Sequence, residues 1–208
     1  MNITQALEIV GGLSLPSKMP CQSYSIPAKY CITGAVLAKV AKSICSKCYA
    51  LKGFYRMPNV KNCLEKRFQS LTNPRWVEAM TVSIDQTESS GYFRWHDSGD
   101  LQSVEHLEKI AEICARLPHI QFWLPTREYV FVSRFRRMHE VPQNLNIRLS
   151  ALMIDGPAPT TIAKRLGLTT SGVSANSFDC PASKQGNKCL TCRACWDKSI
   201  QNINYKLH

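Results

Sequence analysis

The spacing of apolar residues along the chain changes between two periods. From residue 101 to 117 apolar positions recur every three or four residues, which predicts an amphipathic helix. The same spacing predicts helices at residues 60–71 and, after Pro74, from Trp76 onward. Short, densely apolar runs predict strands at residues 92–96, 120–124, 145–153 and 171–175. Strands that alternate with helices are typical of parallel β-α units, so the pattern predicts an α/β fold whose parallel core forms a partial, TIM-like barrel.

The length of 208 residues suits a single domain. Three stretches differ in composition: a basic, cysteine-containing segment at 18–67, the β-α core at 91–176, and a cysteine-rich tail at 177–208. Residues 1–30 are rich in Gly and Pro and are predicted to be mostly loop. No apolar run approaches the roughly 20 residues of a membrane helix, and the start lacks the pattern of an export signal. We therefore expect a cytoplasmic protein with no membrane partner.

Ionisable side chains follow the predicted strands, where parallel α/β folds bind their ligands. Asp97 is the candidate general acid or base, with its pKa tuned by His96. Arg127 and Glu128 follow the next strand and are expected to orient a substrate. Asp100 stands where the N-cap of the following helix is expected, so a structural interpretation competes with a functional one.

Positive charge is concentrated near the front of the chain. The formal net charge is +11, and residues 18–67 hold ten Lys and Arg against one acid, Glu65, which gives this segment +9. A block of one sign can hold the phosphates of a nucleic acid or nucleotide, and Lys52 and Arg56 are candidates for that role. The alternative is a solvated face that only keeps the protein in solution.

Four cysteines in the tail form the most specific motif. Cys189, Cys192 and Cys195 follow each other in a C-x2-C-x2-C pattern, and Cys180 lies upstream, directly before Pro181. Ten cysteines in a reducing compartment indicate metal binding more than disulfides. Three closely spaced thiolates with one remote partner favour an iron–sulfur cluster of the 4Fe-4S type. A structural zinc ion with four thiolates is the alternative metal, and four unrelated buried thiols are the third interpretation.

A second group of cysteines lies upstream, at Cys31, Cys45 and Cys48. Three thiolates would leave one coordination position of a metal centre open for a substrate or cofactor. Cys21 is a candidate fourth ligand, and four thiolates would close the site. The remaining cysteines, Cys63 and Cys114, lie on apolar helical faces and are predicted to be ordinary core residues.

Several runs resemble the phage family called gene product 88. They extend from about Lys18 to the C-terminus and are KMPCQSYSIPAKYC, SICSKCYALKGFYRMPNV, FRWHDSGDLQSVEHL, FWLPTREY and CPASKQGNKCLTCRACWDK. The resemblance implies a bacteriophage protein and assigns no chemistry.

A more distant resemblance is to radical S-adenosylmethionine enzymes. Cys45 and Cys48, followed by Tyr49-Ala50, are similar to the end of their cluster loop. The run Ser98, Gly99 and Asp100 stands where those enzymes bind the methionine amino group. This implies a 4Fe-4S cluster, or two with the tail, and S-adenosylmethionine as a second cofactor. The pattern departs at Cys31, fourteen positions before Cys45, and at Lys47, where an aromatic residue is usual.

Two other interpretations stay open. Residues 160–175 are similar to a helix-turn-helix, which would make the chain a DNA-binding regulator with a structural metal. The run from Asp97 to Gln102 is similar to an element of tRNA-guanine transglycosylases; Asp179, with a zinc site of tail cysteines and His208, would complete that site. We favour an iron–sulfur enzyme that modifies a nucleotide or nucleic acid.

Overall fold

The computed structural model describes residues 1–207, which form an α/β fold around one sheet of six parallel strands. The strands lie side by side in the order in which they occur along the chain, so each connection crosses to the adjacent position. They are β1 Gln22–Tyr24, β2 Tyr92–Trp95, β3 Gln121–Thr126, β4 Leu145–Ser150, β5 Thr169–Ser174 and β6 Asn202–Lys206. The parallel α/β fold is confirmed, whereas the curvature of a partial barrel stays a prediction.

Within residues 1–207, seven α-helices accompany the sheet: α1 Ile3–Val10, α2 Ile32–Leu37, α3 Pro58–Ser70, α4 Trp76–Thr87, α5 Val104–Arg116, α6 Tyr129–Met138 and α7 Thr160–Leu166. The predicted helices α3, α4 and α5 are confirmed. The prediction of loop at the front is wrong for α1, because Asn2 and Gln5 form a capping box and Gly11, with a φ of 74°, ends the helix. Short 3-10 turns fill residues 28–56 between β1 and α3, around α2.

Alternate strand residues divide between the two faces of the sheet. The main core lies on the helical face and includes Phe93 and Trp95 of β2, Phe122 and Leu124 of β3, and Leu145, Ile147 and Leu149 of β4. On the opposite face, Trp123 packs with Trp196 of the tail and with Cys21. The tail therefore covers the face of the sheet that the helices leave open.

Arg148 of β4 joins the tail to this second face. Its side chain is fully buried, and its guanidinium donates to five main-chain carbonyl oxygens at 2.8–3.1 Å, those of Thr170, Ala194, Cys195, Asp197 and Ile200. Trp196 adds a hydrogen bond from Nε1 to the carbonyl oxygen of Phe93, at 2.9 Å. A single cation thus satisfies the carbonyl groups of a loop with little regular structure.

Two parts of the sequence-based organisation need correction. The sheet extends beyond the predicted core of 91–176, because β1 and β6 come from the basic segment and the tail. The helix-turn-helix at 160–175 is wrong: α7 ends at Leu166, and the residues that would form the recognition helix are β5, paired between β4 and β6. In residues 1–207 no helix has both the length and the apolar character needed to cross a bilayer.

His96 and His106 form a buried pair in the helical core. Their ring centroids lie 5.4 Å apart, and both nitrogens of His96 and Nε2 of His106 have no hydrogen-bond partner among the described residues. His96 directly follows β2 with a φ of 53°. Burial lowers the pKa of His106 to about 3 and that of His96 well below its usual value.

We predict that Arg148→Met lowers the free energy of unfolding by about 3–5 kcal/mol, because buried carbonyl groups lose their donor. Urea denaturation of preparations with equal metal content measures the change. The matched control is Arg137→Met on α6, where the arginine is exposed; it should stay within about 0.5 kcal/mol of the parent. A loss below about 1 kcal/mol at Arg148 would contradict its role in holding the tail.

A second prediction concerns how the free energy of unfolding depends on pH. Since the folded chain keeps His106 unprotonated down to a pKa of about 3 and the unfolded chain binds a proton near pH 6.5, stability falls with decreasing pH between these values. Each proton excluded by the fold contributes up to about 1.4 kcal/mol per pH unit. His106→Asn should make the slope shallower by about that amount, measured by urea denaturation from about pH 6.5 to pH 4. An unchanged slope in the His106→Asn variant would contradict the exclusion of this proton by the fold.

Candidate functional site

The carboxyl ends of β2 and β3 are tied together by the buried carboxylate of Asp100. It accepts hydrogen bonds from Thr126 Oγ1 at 2.6 Å, from the Arg127 amide at 2.9 Å and from the Leu101 amide at 2.8 Å. Burial raises its pKa to about 6, although the three donors act in the opposite direction. The predicted N-cap role is wrong, because Ser103 caps α5.

Glu128 extends this network to the segment that carries the upstream cysteines. Its amide donates to Thr126 Oγ1 at 3.0 Å, and its buried carboxylate accepts from the amide and the hydroxyl of Thr33, both at 2.8 Å. Thr33 is the second residue of α2 and lies two positions after Cys31. Because the Glu128 backbone is fixed by the end of β3, these bonds place the cysteine segment, residues 28–57, over the carboxyl edge of the sheet.

Three further contacts hold the cysteine segment in the same place. The Tyr49 hydroxyl donates to the carbonyl oxygen of Asp97, and the Ile44 amide donates to that of Leu152 at 2.9 Å. Ser43 forms an isolated antiparallel bridge with Met153, after β4. The segment therefore contacts the residues that follow β2, β3 and β4.

Cys31, Cys45 and Cys48 meet at this edge. A Cβ placed on Gly34 of α2 would lie 2.8 Å from the Cys31 Cβ and 3.6 Å from the Sγ atoms of Cys31 and Cys45, so only glycine permits this close packing, and both thiols lie beside the same position. Burial raises the pKa of the Cys31 thiol, and the nearby Asp100 and the two other cysteines raise it further. Burial also raises the pKa of Cys45, against the opposing effect of the Arg127 guanidinium.

Asp97 has different neighbours from those that the sequence suggests. Its carboxylate accepts from Tyr55 Oη at 3.2 Å and from Ser23 Oγ at 3.4 Å, and the residue is half-buried. The His96 ring lies in the helical core beside His106, and neither of its nitrogens forms a hydrogen bond with Asp97 or any other residue among 1–207. Asp97 thus stays a candidate acid or base, and Tyr55 donates a hydrogen bond to its carboxylate.

The run Ser98, Gly99 and Asp100 makes contacts within the protein. Ser98 Oγ donates to the carbonyl oxygen of Ile26 at 3.0 Å, and the Ile26 amide donates to that of Ser98 at 3.1 Å. Gly99 has a φ of 82°, and a Cβ there would overlap Ile26. These residues join the loop after β1 to β2 and β3, and their predicted role in binding a cofactor stays a prediction.

The tail cysteines lie with Cys21 on the opposite face of the sheet. Cys195 and Cys21 pack with Trp123 and Trp196, and burial raises the pKa of each thiol to about 12. The Cys189 amide donates to the carbonyl oxygen of Lys18 at 3.0 Å. Cys180, Cys189 and Cys192 are half-buried, and the nearby thiols raise the pKa of Cys180 and Cys189 further after burial. Cys21 is therefore placed with the tail group, not with the upstream group.

Arg94 of β2 lies near Cys189 and Cys195 of the tail group and near Tyr49, which directly follows Cys48. Its guanidinium stands 4.4 Å from the centre of the Trp123 ring, Nη1 contacts Met19 Sδ at 3.6 Å, and Nε has no partner among residues 1–207. Arg94 and Arg148 were missed by sequence reasoning as functional residues. The sequence did contain a signal for them, since each is a single arginine within an otherwise apolar strand. Such a cation must face the side of the sheet on which polar partners are available.

The cysteine thiols are chemically suited to a soft metal, although their arrangement in the structure is not that of a formed metal site. Among the described residues, no group of three or more His, Cys, Asp or Glu side chains is arranged to hold a metal ion. All ten cysteines are free, including the three upstream thiols beside the buried carboxylates of Asp100 and Glu128. Thiolates select iron–sulfur clusters and zinc, and the local excess of acidic groups over Arg127 favours a bound cation. The upstream residues therefore fit a metal centre in the chemistry of their side chains, and Cys31 and Cys45 lie side by side next to Gly34.

The remaining predicted positions fall outside these groups. The Asp179 carboxylate accepts from the Asn204 amide beside β6, so the transglycosylase interpretation gains no contact with Asp97. His208, its proposed zinc ligand, lies outside the described residues. Cys114 is fully buried, as predicted, whereas Cys63 is half-buried with Sγ 3.8 Å from the carbonyl oxygen of Gly11.

Comparison with known proteins gives one match. A family model described as gene product 88 matches residues 2–198. No curated protein and no solved structure matches the chain. The resemblance to radical S-adenosylmethionine enzymes gains no support from these comparisons.

We predict that Thr33→Val lowers the free energy of unfolding by about 1.5–3 kcal/mol, because the hydroxyl donates to a buried carboxylate. In a double-mutant cycle with Glu128→Gln, measured by urea denaturation, the coupling energy should be at least about 1 kcal/mol. Thr72→Val is the control, since its exposed hydroxyl donates only to the carbonyl oxygen of Gln69. Additive effects of the two substitutions would show that Glu128 does not anchor the cysteine segment.

Proposed function

Since the chain belongs to the gene product 88 family, which is consistent with a bacteriophage protein, we propose that it is an iron–sulfur enzyme that modifies a nucleotide or nucleic acid. The observation that carries the proposal is the position of Cys31, Cys45 and Cys48. These thiols follow β1 and lie over the carboxyl edge of a parallel sheet, beside two buried carboxylates. Ligands bind at this edge in α/β folds in general.

The two cysteine groups differ in what they can do. The upstream group offers three thiols, and Cys21, the candidate fourth, lies with the tail. Three ligands leave a position of a 4Fe-4S cluster free, and such a cluster supplies one-electron chemistry to a molecule bound there, for which we propose S-adenosylmethionine. The tail group has four cysteines and is held against the sheet by hydrogen bonds from Arg148 and Trp196. We assign the upstream group to the reaction and the tail group to structure or electron transfer.

The chain's own residues supply positioning and a candidate acid or base. Asp97, held by Tyr55 and Ser23 at the end of β2, is the proposed acid or base. The Arg127 guanidinium, fixed by a hydrogen bond from Nε to the carbonyl oxygen of Ala151 at 3.1 Å, is placed to bind an anionic group of the substrate near Cys45. Glu128 positions the cysteine segment through Thr33. The proposed core is barrel-like, since the sequential strand order is that of a singly wound sheet.

The proposal predicts iron and sulfide in excess of zinc in protein purified without oxygen, together with a brown colour. Cys45→Ser with Cys48→Ser should remove the upstream cluster and leave the tail cluster, so that iron per chain falls by about half. Cys192→Ser with Cys195→Ser should remove the other half. S-adenosylmethionine should change the electron paramagnetic resonance spectrum of the reduced parent and of the tail variant, and should leave that of the upstream variant unchanged.

Cys63→Ser is the matched control, because Cys63 belongs to neither group, and it should retain the iron content of the parent. A colourless protein that holds zinc in both groups would overturn the assignment of an iron–sulfur enzyme. An upstream variant with full iron content would remove Cys45 and Cys48 from the ligand set.

A further inference from the structure

Exposed apolar side chains are concentrated on the cysteine segment. Seven of the eleven exposed large apolar side chains in residues 1–207 lie between positions 32 and 57: Ile32, Val36, Val40, Tyr49, Leu51, Phe54 and Met57. Phe54 is 79% exposed, which is the highest value among them. A contiguous apolar surface of this kind indicates a binding site more often than isolated exposed residues do.

Positive charge lies among these side chains without neutralisation. Lys39, Lys42, Lys47, Lys52, Arg56 and Lys61 are all exposed, and none forms an ion pair within the part of the chain that the structure describes. Residues 18–64 contain no acid. The partner of such a surface is therefore expected to be an anion with apolar parts.

The exposed residues belong to one continuous layer. The turns at Tyr49–Leu51 and Gly53–Arg56 contact each other, the second contacts α3, and α2 contacts the turn at Cys45–Lys47. Tyr49 and Tyr55 have ring centroids 5.9 Å apart. Through Tyr49 and Tyr55 this layer reaches Asp97, and through Cys45 and Cys48 it reaches the upstream thiols.

Exposed apolar side chains together with unpaired cations favour a single strand over a duplex as the bound form of nucleic acid. Lysine and arginine bind phosphates of any strand, with a strong dependence on salt. Exposed aromatic and aliphatic side chains gain contact only with base faces that are unstacked, which a duplex keeps buried and a single strand offers. No element of the segment is shaped for a groove, since α2 has six residues and its neighbours are 3-10 turns.

We propose that the exposed residues from Ile32 to Lys61, the cysteine-segment surface, bind single-stranded nucleic acid. The bases contact Phe54 and Tyr49, and the phosphates contact Lys52, Arg56 and the surrounding lysines. A strand held there passes the edge at which Asp97 and the upstream thiols lie. This inference names the substrate class of the proposed enzyme and rests on that proposal for the chemistry, although the binding itself needs no metal.

The test measures fluorescence anisotropy of a labelled single strand longer than the ~4–16 nucleotides of one binding site, against a duplex of equal length, at several salt concentrations. The full-length parent should bind the single strand more tightly. Phe54→Ala should weaken that binding about tenfold and leave duplex binding unchanged. Lys52→Ala with Arg56→Ala should reduce the slope of log affinity against log salt by about 1.4.

Matched controls lie on other surfaces. Lys164→Ala with Arg165→Ala removes two exposed charges from the last turn of α7, and Leu15→Ala removes an exposed apolar side chain; both should bind as the parent does. Equal or tighter binding of the duplex would overturn the inference. So would tighter binding to vesicles of anionic phospholipid than to the single strand, or equal losses in the control variants.

Metal analysis of the same preparations separates this inference from the proposed enzyme. Iron-loaded protein that does not bind the single strand at about 50 mM salt would overturn the inference alone. Protein without iron that binds the strand through Phe54 would support the inference and overturn the iron–sulfur proposal.

Discussion

The buried carboxylate of Asp100 is the constraint on which the candidate site depends. It accepts from Thr126 Oγ1 and from the Arg127 amide, and Thr126 in turn accepts from the Glu128 amide. Glu128 then accepts hydrogen bonds from Thr33, two residues after Cys31. A charge removed from water is stable only when its donors are fixed, so the network fixes the ends of two strands and the start of the cysteine segment together.

The two faces of the sheet are covered in different ways, because a buried charge needs fixed hydrogen-bond partners and an apolar side chain does not. Helices cover one face with apolar contacts, and the tail covers the other through one arginine, Arg148, that satisfies five carbonyl groups. The second face therefore holds a buried arginine and thiols beside Trp123 and Trp196, whereas the first is packed mainly with apolar side chains. Arg94 and Arg148 place positive charge near the tail cysteines, which is the charge that thiolates require.

The cysteine segment combines a rigid inner side with an exposed outer side. Its inner contacts reach the residues after β2, β3 and β4, whereas its outer side shows apolar and cationic groups to solvent. Short 3-10 turns make this possible, because they bury little of their own surface. A strand bound on the outer side would thus lie one layer of residues away from the thiols and carboxylates on the inner side.

The local pattern of the sequence determined the parallel α/β class and the helices α3, α4 and α5, because the apolar periods of two and 3.6 are properties of single elements. It also determined both cysteine groups, whose members are close along the chain. Short elements such as β1, with three residues, and β6, in the polar tail, were not predictable, since pairing in the sheet is what stabilises them.

Only the tertiary structure decided which side chains meet across long stretches of chain. Cys21 lies near the upstream cysteines in sequence and with the tail in space, and Asp97 faces Tyr55 while its neighbour His96 lies in the core. The helix-turn-helix pattern at 160–175 was overridden because its second half completes the sheet between β4 and β6. Sequence spacing reports neighbours on one element, whereas contacts between elements follow from how the strands are ordered.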